Sequence, residues 1–234
     1  MSEAEEYAKA IQSVSDLGEK ALDLSEKLGE FFARVFKEPI QEVSGIITDK
    51  LRFVRWRRLV KMADEVNKIL SEKGVKETRG VPPKLAIPIF EGSSLEDDSS
   101  LQHLWNHLLA NAMDPSFNAE LRYAFIDMIQ NITGREALIL NNFYNILRRE
   151  GKLDDITKIT DYSLTKGQII KIVGIDDATY QVSILNLMRM QCIGPAVIKG
   201  SSIMMGGEPM PIYKGTDAVV LTPLGVRFVE ACIR

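Results

Sequence analysis

His103 and His107 stand four residues apart, a spacing that places two imidazoles on one helix face, as in the zinc-binding helix of a metalloprotease. That chemistry also needs a glutamate directly after the first histidine. Leu104 fills that place, and no third ligand is signalled, so ordinary surface or core-edge histidines are the plainer reading. Cys192 and Cys232 lie far apart with no metal-type spacing, which predicts reduced thiols rather than a disulfide framework. With 2 histidines in 234 residues, local sequence indicates neither a Ser/His/Asp triad nor a Cys/His pair. No phosphate-cradling glycine loop of either known type is present. Met204, Met205, Gly206 and Gly207 read as a wing tip rather than a ligand clamp. The expectation is a non-enzymatic chain that calls for no metal and no cofactor.

The strongest local charge signal is a stripe of Lys50, Arg52, Arg55, Arg57, Arg58 and Lys61 interleaved with Phe53 and Trp56. On a helix these residues turn through more than one face, so some cations must lie over apolar neighbours or pair with acids elsewhere. Three uses compete: ion pairing to an acidic first helix, a protein or anionic-membrane surface, and a nucleic-acid contact. Ion pairing leads, because a net charge of -3 gives no bulk attraction to nucleic acid.

The elements that must carry these residues follow from apolar periodicity. Tyr7, Ile11, Val14, Leu17, Ala21, Leu24, Leu28, Phe31 and Val35 recur in eight steps over 28 residues, a mean period of 3.5 that marks a helix packed lengthwise on another. A second helical pattern over residues 41–71 pairs with it, giving a coiled-coil-like hairpin over 1–75. Residues 76–98 read as a connector: Gly80, Pro82, Pro83 and Pro88 break helices, 84–90 reads as extended, and Glu96, Asp97 and Asp98 form an acidic patch. Its apolar Leu85, Ile87, Ile89 and Phe90 should hold it against the fold. Three short helices make a bundle over 99–158. Ser99 or Ser100 caps the first, Asn118 caps the second, and the third follows Thr133 and Gly134.

Residues 159–234 differ. A short helix over 165–173 ends at Gly174. Asp176 or Asp177 opens another, carrying Val182, Leu185, Leu187, Met188 and Met190. Strands over 196–198 and 218–221 flank a polar excursion over 199–215, and Thr222 with Pro223 starts a last helix. This is the order of a winged helix. The fold class expected is therefore mainly α, with a long N-terminal helical hairpin, a central short-helix bundle and a C-terminal winged-helix-like α+β domain. Its second helix makes a poor reader of DNA: Arg189 is the sole cation between Asp176 and Cys192, with Gln181 and Asn186 the other candidates.

The acidic start of the chain and the lack of an apolar run near 20 residues argue against export and membrane spanning and predict a cytoplasmic protein. A protein partner or self-association is the favoured use of the modules. Nucleic-acid binding by a transcriptional regulator, using the winged helix and the stripe 50–61, is the alternative. A membrane surface reached through the basic helix is the third.

The run PPKLAIPIFEGSSLEDDSSLQHLWNHLLANAMDP, residues 82–115, resembles the central signature of the abortive-infection alpha family of bacterial phage-defence proteins. The matching positions are Pro82 and Pro83, the acids Glu96, Asp97 and Asp98, the helix positions Leu104, Trp105, Leu108 and Leu109, and the stop Asp114, Pro115. The Leu-Thr-x-x-Gly-x-x-Phe segment from Leu221 to Phe228 is also similar, so the resemblance covers roughly residues 75–234 and, more loosely, the helical N-terminus. It implies a bacterial cytoplasmic protein that arrests an infected cell before phage mature, and carries no catalytic residues over. The signature also has a structural explanation: acids at a helix start, core-spaced leucines and Trp105, and a proline stop.

Overall fold

The computed structural model describes residues 26–37, 52–153, 155, 159, 161–205 and 208–234. It is mainly helical, with a three-stranded antiparallel sheet towards the C-terminus. It divides into two compact units, one through Ile126 and one from Asp127. The seam positions from Tyr7 to Leu24, and the first part of the second helical pattern up to residue 51, lie outside the described residues.

In the first unit, helix α1 (26–36) and helix α2 (Arg52–Glu72) bury the faces that their periodicity predicts. Leu28, Phe31 and Val35 of α1 are in the core, as are Leu59, Met62, Val66, Ile69 and Leu70 of α2. Residues 83–95, expected to be partly extended, instead form helix α3 (Pro83–Leu95). Pro82 and Pro83 favour this start, since a proline at the first helical position lacks only an N–H that has no partner there. Pro88 lies inside the helix, yet Ala86, Ile89, Phe90 and Ser93 fall at i, i+3, i+4 and i+7 and are all buried. Burial of that face offsets the lost hydrogen bond. Phe90 meets the ring of Phe32 edge-on at 4.9 Å and those of Phe31 and Phe36 at 6.0 Å.

Helix α4 (Ser99–Met113) is capped by Asp98 rather than by Ser99 or Ser100. Its carboxylate accepts from the Ser100 amide at 2.7 Å and the Leu101 amide at 3.3 Å, next to the positive end of the helix. Glu96 accepts in turn from the amides of Asp97 and Asp98. Helices α2, α3 and α4 pack mutually. Helix α5 (Ala124–Asn131) begins later than the Asn118 cap expected, after turns from the Phe125 amide to the Arg122 carbonyl and from the Ile126 amide to the Tyr123 carbonyl.

In the second unit, helix α6 (Gly134–Arg149) starts on a capping box: Thr133 accepts from the Glu136 amide while Glu136 accepts from the Thr133 amide. Strand β1 (Ser163–Thr165) precedes helices α7 (Lys166–Val173) and α8 (Asp177–Arg189). Three residues are too few for alternation to be read, which is why β1 was not expected. Strands β2 (Ile193–Met205) and β3 (Glu208–Leu221) form a long hairpin, and the sheet order is β1-β3-β2. Residues 199–205 and 208–215 of the polar stretch thus belong to the two paired strands rather than to a loop excursion. Ladder hydrogen bonds need only backbone groups, and register shifts between Pro195 and Val197 and between Lys199 and Ser202 absorb the irregular sequence. Helix α9 (Pro223–Cys232) is capped by Thr222 with proline at its first position, as expected. Gly225 lets α9 approach the β2 start: a Cβ there would lie 2.1 Å from the Cys192 carbonyl oxygen.

Candidate functional site

The signature residues of 82–115 assemble the ends of helices. Leu104, Trp105, Leu108 and Leu109 are fully buried in the core. Asp114 closes α4 and is itself buried, its carboxylate accepting from the amide and hydroxyl of Ser116 at 2.8 and 2.7 Å. The carbonyls at this helix end meet cations from another segment. Arg79 donates to the Ala112 carbonyl at 2.8 Å and to the Asn111 and Phe117 carbonyls at 3.3 Å, while its amide donates to the Met113 carbonyl at 2.8 Å. Lys73 donates to the Asn111 side-chain oxygen at 2.5 Å. Burial lowers the pKa of the Lys73 ammonium, and the nearby Asp114 opposes that shift. Positive charge at the negative end of a helix dipole stabilises it, so this cluster serves the fold. Arg79 carried no sequence signal, since nothing local sets it apart from Lys76 and Lys84 on either side.

The basic stripe divides by helix phase. Arg55, Trp56 and Arg58 are half-buried, whereas Arg57 and Lys61, four residues apart, are exposed; Lys50 lies outside the described residues and Arg52 opens α2. Arg58 donates to the Ser94 and Leu95 carbonyls at 3.2 and 3.0 Å, so it caps the C-terminal end of α3. The ion pairing to the first helix expected for the stripe involves residues that lie mostly outside the described ones.

The two imidazoles share a face as the spacing predicts, their centroids 4.3 Å apart at 64°. Among the described residues, no group of three His, Cys, Asp or Glu side chains could hold a metal ion. Both cysteines are free and buried. Burial pushes the Cys192 thiol up to about 12, with Glu136 adding to the shift, and burial also pushes Cys232 up. Neither is poised as a nucleophile.

Helix α8 carries exposed apolar side chains on the second unit. Asp176 caps it by accepting from the Thr179 amide at 2.7 Å. The buried stripe is Tyr180, Ser183, Ile184 and Leu187. Val182 and Leu185, expected among the apolar residues of this helix, face outward at 69% and 65% exposure. The helix is apolar on two sides, and only packing decided which one is covered. Asn186 donates to the Asn131 carbonyl at 2.8 Å and to the Glu136 carboxylate at 3.0 Å. Arg189 donates to the Asn186 side-chain oxygen at 2.9 Å. Two of the three polar side chains that could have read base edges are therefore engaged within the unit.

Residues 55–232 match the family model described as Abortive infection alpha. The chain belongs to the abortive infection alpha family. That match takes in part of the N-terminal helical region as well, including Arg55, Trp56, Arg57, Arg58 and Lys61. Abortive infection alpha membership supports a role in phage defence. No curated protein and no solved structure matches the chain. Among the described residues, no helix is long and apolar enough to cross a membrane.

Proposed function

We infer that the chain acts in bacterial abortive infection as a binding protein rather than an enzyme, in the cytoplasm, with α8 docking on a protein partner or a second copy of the chain. The observation that carries this reading is the outward face of α8, where Val182 and Leu185 stand exposed at 69% and 65%. A helix that entered a DNA groove would present cations there. Exposed apolar side chains on a polar surface gain most from a partner that removes them from water. The element order β1, α7, α8, β2, β3 and the sheet order β1-β3-β2 support a winged-helix reading of the unit, with α8 in the place of its second helix.

The test is phage burst size and survival in bacteria expressing the wild type or a Val182→Glu, Leu185→Glu double variant. The expected result is normal thermal stability of the variant, loss of its chemical cross-links in infected cells, and a burst as large as in cells without the protein. A variant that restricts the burst as well as the wild type overturns the reading. Exposure of Arg57 and Lys61 favours a second reading, in which α2 contacts nucleic acid or an anionic membrane. In that case Arg57→Glu with Lys61→Glu abolishes a salt-sensitive shift of duplex DNA or flotation with anionic liposomes, and the α8 variant leaves both intact.

A further inference from the structure

A cavity of about 380 Å³ opens between the end of α1, the C-terminal half of α2 and the loop that follows it. Its volume falls within the range of roughly 300–1,000 Å³ typical of small-molecule sites. Arg34, Lys37 and Lys76 line it against a single carboxylate, Glu77, so the lining carries an excess of positive charge. Leu70 and Val75 add apolar surface to the same wall.

Asn67 also lines the cavity, through atoms other than its side-chain oxygen, which is closed off inside the unit. Lys37, at the end of α1, sits in the left-handed region at φ 59°, a conformation that favours glycine or asparagine. A Cβ at Gly80 would lie 3.2 Å from the Lys37 Cγ, so Gly80 leaves room for this side chain. The left-handed turn at Lys37 ends α1, as the same turn at Gln191 (φ 60°) follows α8.

We propose that this cavity binds a small phosphate monoester of mononucleotide size, with Arg34, Lys37 and Lys76 holding the phosphate. Cations recognise the phosphate by charge-assisted hydrogen bonds, and Leu70 with Val75 cover a sugar or base. The cavity does not involve α8, so this proposal and the binding role of α8 stand or fall separately.

The experiment is isothermal titration of the full chain with adenosine 5′-monophosphate, inorganic phosphate and adenosine. The monophosphate is expected to bind more tightly than phosphate, and adenosine to give no heat. Arg34→Glu and Lys76→Glu should each weaken the monophosphate at least ten-fold, while Arg34→Lys and Lys76→Arg retain it. No heat with millimolar monophosphate, binding indifferent to both charge reversals, or phosphate binding as tightly as the monophosphate would each overturn the proposal.

Discussion

The indole of Trp105 lies directly on the backbone of Gly92: a Cβ built at Gly92 would stand 2.6 Å from its Cη2 and Cζ2 atoms. Helix α3 can approach α4 this closely because residue 92 has no side chain. The two residues therefore depend on each other, although thirteen positions separate them in the sequence. Gly92→Ala is expected to destabilise by about 1–3 kcal/mol in urea unfolding despite the better helix propensity of alanine, because the ring is buried and cannot yield. Trp105→Ala alone should cost about 3–5 kcal/mol. If the contact is the cause, Gly92→Ala costs less in a Trp105→Leu background; equal costs in both backgrounds would remove that explanation.

Cations that look alike in the sequence should behave differently. Arg58 and Arg79 cap the carbonyl ends of α3 and α4, so Arg58→Ala and Arg79→Ala should each lower stability by about 1–2 kcal/mol. Arg57 and Lys61 are exposed, and their alanine variants should stay within about 0.5 kcal/mol of wild type. Thermal unfolding of the four variants measures the contrast, which disappears if all four shift alike.

The thiols should be silent in the folded protein. With its pKa pushed up to about 12, Cys192 holds on the order of 10⁻⁴ of its population as thiolate at pH 8. Cys232 is buried and shifted in the same direction. Native protein is expected to resist a thiol-specific reagent such as iodoacetamide for hours at pH 8 and to take up two equivalents once denatured, since both cysteines are free. Rapid native labelling would mean that the unit opens locally.

Acid sensitivity should reside in part at Asp176. The hydrogen bond from the Thr179 amide holds its carboxyl below the ordinary value of 3.8. A depressed folded pKa contributes stability above the unfolded value, and that contribution is lost as pH falls from 3.8 through the folded value. Asp176→Asn keeps a good cap but cannot titrate. Circular dichroism melts from pH 5 to pH 2 should show a smaller loss of stability for the variant than for wild type. Parallel losses would show that the cap does not control this transition.

Much of the architecture was legible because it follows from local rules. The Thr133 and Asp176 caps, the stop at Gly174 and the Thr222, Pro223 start of α9 are chain-local hydrogen-bonding and steric effects. The family was legible as well, since the 82–115 pattern packs several helix boundaries into one stretch. Residues 83–95 were not. Pro83 and Pro88 dominate their local propensity, whereas the helix is held by Ala86, Ile89, Phe90 and Ser93 burying against other elements.

The sequence by itself determined which residues are apolar and where helices α6 to α9 start. Only the tertiary structure decided which side of α8 is covered, which cations of the 50–61 stripe point inward, and that Arg79 caps α4. Each of these turns on an element distant in the chain, and pairing of that kind leaves no periodicity at either partner alone. The same holds for the cavity at Asn67, whose cations come from α1 and the loop after α2 and meet only once the first unit has packed.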